Sequence, residues 1–136
     1  AIPDMAGAFI GMPYKYGGKP EIEGLTDNSA LFYSIYTQAA KAAGLRYRSY
    51  LPMRYLLKNC HLVELSALKN GDLMVLNNHL AAMIYKVESS NKLYLIYASE
   101  KRKEVIVFHS ENPVFTAYWM EHLKGFYRLN NDMLIQ

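Results

Sequence analysis

An α+β fold is predicted, with helices in the first half of the chain and an antiparallel sheet in the second. Three observations carry it. From Ser29 to Ala43 the apolar residues Leu31, Phe32, Ile35, Tyr36, Ala39, Ala42 and Ala43 recur at three- and four-residue spacing, the stripe of an amphipathic helix. After the turn signal Asn70-Gly71 the pattern changes to short runs rich in β-branched and aromatic residues. Polar tips, Ser89-Ser90-Asn91 and Lys101-Arg102-Lys103, separate those runs at hairpin spacing. Helices followed by such hairpins imply a long helix packed on an antiparallel sheet.

In chain order, residues 3 to 10 read as a short helix with Asp4 near its start. Residues 11 to 26 read as loop, because Gly17-Gly18, Lys19-Pro20 and Gly24 are turn chemistry. The long helix follows, capped by Thr26 or Asp27, whose side-chain oxygen can accept a free helical N–H; Gly44 supplies its stop. A second short helix is expected from Pro52 to about Lys58, with proline in its first turn. Strands are expected over 72–76, 79–87, 92–99 and 104–109, a helical or irregular piece over 115–122, and a closing strand over 125–129.

Composition bounds the function. The 136 residues suit one domain, residues 1–136, long enough to close a core. A hydrophobic fraction of 51% with 12 tyrosines argues for a folded globule. No apolar run approaches the roughly 20 residues of a membrane span. The net charge of +3 is too weak to imply nucleic acid as a partner. One cysteine, Cys60, forbids an internal disulfide and a Cys-based zinc cluster, and the histidines lack metal-ligand spacing, so no metal or cofactor is expected. Neither a signal-peptide pattern nor an initiator Met stands at Ala1, which leaves room for an earlier segment.

The residue after a helix cap sits at the positive end of the helix dipole, where a nucleophile would be activated. Here it is Asn28, which has no ionisable proton. Its context is distinctive. Pro13-Tyr-Lys-Tyr-Gly-Gly18 precedes Gly24-Leu-Thr-Asp-Asn-Ser-Ala30; Leu68-Lys-Asn-Gly-Asp-Leu73 follows, and then a run opening at His79. In order and spacing these pieces resemble the NlpC-type cell-wall cysteine peptidases. Those enzymes show Pro-Tyr-x-Trp-Gly-Gly, Asp-Cys-Ser-Gly at a helix start, Leu-x-x-Gly-Asp-Leu and His-Val-Gly on a strand. The resemblance spans about Met5 to Leu129 and implies a papain-like fold.

In that family a thiolate at the helix N-terminus attacks a peptide carbonyl, the strand histidine takes the thiol proton, and a polar residue on the next strand orients the histidine. Dipole and imidazole together lower a thiol pKa. Carried over, Asp27, Ser29 and His79 match, Asn28 stands at the nucleophile position, and Tyr97 at the orienting position. Ala30 replaces a glycine, and Leu80-Ala81 replaces Val-Gly. Tyr14 and Tyr16 lie in the loop that would wall a substrate cleft. The resemblance thus implies a degenerate member that binds a peptidoglycan stem peptide or an envelope protein without cleaving it, in the bacterial envelope, periplasmic or secreted. The alternative is an active wall-peptide hydrolase of γ-D-glutamyl-diamino acid endopeptidase type, using another nucleophile or inactivated by an engineered change at 28.

Other residues are weighed against plainer roles. Ser29 should point about a hundred degrees around the helix axis from Asn28. Cys60 and His61 are adjacent, so on an extended segment they face opposite ways; Cys60 reads as an isolated thiol in a loop. Arg46-Tyr-Arg-Ser-Tyr50 reads as a loop wrapping the core with rings inward and cations in water. Asp72 reads as a turn carboxylate on nearby N–H groups. An assembly role would use Tyr118 and Trp119 as surface aromatics.

Overall fold

The computed structural model describes residues 1–136. The first helix, α1, covers Ile2–Gly7 with a proline in its first turn. It is shorter than the pattern suggested, because the chain turns away through Ala8 to Gly11, where Gly11 adopts φ 85°. Inside the expected loop lies a single helical turn, α2, Pro20–Glu23. Proline starts it, Gly24 at φ 68° ends it, and Glu23 reaches back to the Lys19 N–H at 3.1 Å.

The long helix α3 runs Asn28–Ala42, one residue earlier than its apolar stripe. Asp27 caps it, accepting the Ala30 N–H at 2.9 Å. Leu31, Phe32 and Ile35 are wholly buried, each contributing roughly 1.5–3 kcal/mol by leaving water. After Gly44 (φ 76°) come a short strand β1, Arg46–Tyr47, and helix α4, Met53–Lys58. Tyr47 is buried and stacks on Tyr36 at 5.5 Å, while Arg46 and Arg48 stay exposed, as a wrapping loop requires.

Six strands then form one antiparallel sheet: β2 Cys60–Val63, β3 Leu73–Leu76, β4 Ala81–Val87, β5 Leu93–Ser99, β6 Glu104–His109 and β7 Leu123–Leu129. Their order is β2-β7-β3-β4-β5-β6. A last strand, β8 Leu134–Ile135, pairs with β1. Period-two alternation gives the large sheet two apolar faces. Leu73, Val75, Ala81, Met83, Ile96 and Val105 pack with α1 and α3. Met74, Leu76, Ile84 and Leu95 pack on the other face, under a π-helical segment, Phe115–Met120. No helix is long and apolar enough to cross a membrane.

Three expectations are corrected. The segment around Cys60 is an edge strand, not a loop; Leu62 is left 66% exposed there, which blurs the alternation. The strand after β3 starts at Ala81 rather than His79, because Leu76 to Leu80 form a tight turn in which His79 takes φ 70°. The closing strand β7 starts at Leu123 rather than Gly125, and it lies between β2 and β3.

Candidate functional site

The glycine loop is tied to the start of α3. Gly17 has φ 74° and donates its N–H to Asp27 Oδ2 at 2.8 Å. A Cβ on Gly18 would meet the Leu25 carbonyl carbon at 2.7 Å, so only glycine fits. Thr26 pairs with the strand-like segment at Tyr14: its N–H donates to Pro13 O, and its carbonyl accepts the Lys15 N–H. Both Asp27 oxygens are therefore spent on backbone N–H groups.

Asn28 follows, and its carboxamide is also spent. The Ala98 N–H donates to its Oδ1 at 2.7 Å, and its Nδ2 donates to the Ala81 carbonyl at 3.1 Å. These two partners belong to adjacent strands. The β4–β5 register pairs Met83 with Ile96 and, continued, sets Ala81 opposite Ala98. The amide thus stands where a ladder hydrogen bond between the two strands would run, as a peptide-like insert. A carboxamide offers its donor and its acceptor on two separate atoms, and its orientation is dictated by its partners. A carboxylate has no proton to donate to the Ala81 carbonyl, and a hydroxyl or thiol has a single atom for both bonds.

Asn28, Tyr14, His79 and Tyr97 line one groove of about 1210 Å³. The turn carrying His79 and the β5–β6 tip leave the sheet at the same end, with the mouth of α3 between them. His79 is exposed and its ring makes no hydrogen bond within the chain; Tyr97 makes none to it. Instead the Tyr97 ring lies on the outer face, edge-on to Trp119 at 5.2 Å and to Phe108 at 6.1 Å. Burial pushes the Tyr97 phenol up, while a Ser99 hydrogen bond and the Arg102 charge oppose the rise. Tyr14 is raised too, first by burial and then by Glu100 and Asp27. The turn is pinned by Asn78, whose Nδ2 donates to the Tyr118 hydroxyl at 2.8 Å.

Other expected residues lie elsewhere. Tyr16 is 86% exposed and outside the groove lining. Ser29 accepts the Met53 N–H on its Oγ at 3.1 Å and is likewise outside it. Trp119 is buried, not a surface aromatic; it forms the groove wall. Cys60 sits on β2 with β7 and β3 between it and β4, roughly 14 Å of sheet at the usual strand spacing. Burial, then the Asp72 charge, push its thiol up to about 12. Asp72 accepts the Lys69 N–H at 2.9 Å, as expected of a turn carboxylate. The sequence reading missed its bidentate pair with Arg128, at 2.9 and 2.8 Å. No three His, Cys, Asp or Glu side chains converge to hold a metal ion. Phe108 in the groove wall was also missed, although strict alternation along β6 puts it on the same face as Tyr97 and Leu95.

This fold, a helix whose N-terminus meets an antiparallel sheet beside a histidine-bearing turn, is that of the NlpC-type papain-like domains. Two solved structures carry the comparison. NlpC1 from Trichomonas vaginalis superposes with a TM-score of 0.59 and 13% identity, over 82% of this chain and 39% of that one. The peptidoglycan hydrolase RipB from Mycobacterium tuberculosis gives a TM-score of 0.59 and 16% identity, over 93% of this chain and 61% of that one. The chain therefore spans about two-fifths and three-fifths of their lengths. No family model matches the sequence, and no curated protein does.

Proposed function

We propose that this domain is a non-hydrolytic binding module of NlpC type that holds a peptidoglycan stem peptide in the groove beside Asn28. The observation that carries the reading is the Asn28 carboxamide, bonded to both β4 and β5 where an attacking sulfur would have to be free. An amide so held has no nucleophilic electron pair to offer and no proton to surrender. His79 then has no proton to accept, and its exposed, unpaired ring fits a contact residue better than a base. The groove itself is open, with Tyr14 and Tyr97 along it. RipB is a peptidoglycan hydrolase, and its fold likeness supports a wall-derived ligand and an extracytoplasmic site of action in the bacterial envelope.

Hydrolysis by another nucleophile finds no support. Ser29 is turned to the Met53 N–H, and Cys60 is a protonated thiol on the far edge of the sheet. Trp119 is the sole tryptophan and walls the groove, so it reports occupancy directly. Titration with soluble muropeptides should give a saturable change in its fluorescence, and mass spectrometry of the same mixtures after prolonged incubation should find the peptides intact. Cleaved products would overturn the non-hydrolytic reading; a flat titration would overturn the binding one.

A further inference from the structure

The β5–β6 tip carries Lys101, Arg102 and Lys103 in succession, all exposed and all lining the groove. None of them takes part in the ion pairs of the chain. Glu100, also exposed, is the only carboxylate in the groove lining. The tip is held rigidly for a charged loop. The Arg102 N–H donates to Ser99 Oγ at 3.0 Å, and Ser99 is buried. The Lys103 carbonyl accepts the Tyr14 N–H at 2.9 Å. Val105 exchanges bonds with Met12 and Gly11, each at 2.9 Å. The glycine loop that carries Tyr14 is thereby stitched to the hairpin, which sets the backbone of all three cationic residues at the rim of the groove that Tyr14 and Asn28 also line.

Beyond the tip the groove becomes apolar. Tyr97, Phe108 and Trp119 form a wall of tilted and edge-on rings, and Val114 leaves 40% of its surface open in the same groove. Cations next to a partly open apolar wall suit a ligand that is anionic at one place and apolar at another. We propose that the hairpin tip is an anion site, taking the carboxylates of an acidic peptide whose apolar portion lies along the Tyr97–Phe108 wall. Arg102 supplies a fork that fits a carboxylate in two bonds, and the two lysines act as point charges. The inference rests on the peptide-binding reading above and narrows it to carboxylate-bearing ligands.

The test compares a wall stem tetrapeptide bearing free carboxyls with the same peptide amidated, by Trp119 fluorescence, in low salt and in about 0.5 M salt, where exposed charges are screened within a few ångströms. The free acid should bind about tenfold tighter than the amide, the worth of one good charge-assisted contact. That preference should vanish in Lys101→Gln/Arg102→Gln and in high salt. Both substitutions leave exposed backbone conformations untouched, and Lys103, at φ 63°, is not altered. The salt arm needs no variant at all. Equal affinity for acid and amide, insensitive to salt, would overturn the anion site while leaving peptide binding intact. Binding of neither peptide would remove both.

Discussion

Asn28 and Cys60 exchange the roles that their chemistry suggests. The chain's one thiol lies half-buried at the far edge of the sheet, and an amide stands in the groove at the mouth of the long helix. Cys60 is half-buried at an edge of the sheet, with the Asp72 carboxylate near enough to oppose a thiolate further. Asn28 stands in the groove at the positive end of a fifteen-residue helix, yet its polar atoms are committed to two strands. Reactivity thus follows environment more than residue type: the same dipole that would sharpen a sulfur here orients a structural clamp.

The sharpest way to break the contrast is to measure the thiol. A free cysteine at 9.0 and one at about 12 differ about a thousandfold in thiolate at pH 8. Cys60 in the folded protein should therefore react with iodoacetamide about a thousand times more slowly than in the denatured chain. The sign for stability follows from the same shift. The folded state keeps its proton to higher pH than the unfolded one, so this contribution is intact below pH 9 and is lost as pH rises toward 12. Rapid labelling under native conditions would mean the edge strand opens, and the contrast with Asn28 would fail.

Next in size is the clamp itself. Asn28→Ala leaves the Ala81 carbonyl and the Ala98 N–H without their partner, and both residues are buried. An unpaired buried backbone group costs about 1–3 kcal/mol, so the loss should be about 2–4 kcal/mol in thermal or denaturant unfolding. Asn28→Asp should not rescue it, because a carboxylate cannot donate to Ala81. If Asn28→Ala unfolds like the parent, the strands zip together unaided and the amide is idle.

Much of this was legible in the sequence, and the exceptions have reasons. The apolar stripe of α3 announced itself by its three- and four-residue spacing, and β5 and β6 by apolar runs bounded by polar tips. β2 was missed because its four residues show no clean alternation, with Leu62 as exposed as a polar residue would be, and because pairing with β7 joins segments some 65 residues apart. His79 was put on a strand because a left-handed φ in a non-glycine residue leaves no mark in sequence. The motif Asp27-Asn28-Ser29 was found as a motif, but its bonds were not. Each side chain turns to a different partner (the glycine loop, the two strands, the Met53 N–H), and those contacts span 10 to 70 positions. The cations of residues 101–103 read as a solvated tip and are one; that they also line the groove depends on the pairing of Gly11–Tyr14 with β6, which no local pattern encodes.

The smallest effect tests whether the two regions are independent. Asp27→Ala removes the cap from α3 and the anchor from Gly17, at a cost of about 1–2 kcal/mol. The damage should stay local. Hydrogen exchange should speed up at the Gly17 and Ala30 amides, which lose their acceptor, and spread to Ala98 only so far as the mouth of α3 drifts from β5. The β2–β7 ladder around Cys60 and Leu129 shares no hydrogen bond with this region, so its amides should keep the parent's protection up to the change in global stability. A uniform rise in exchange across both regions would mean that helix mouth and far edge open as one unit; the thiol's shelter would then depend on the very loop that holds Asn28.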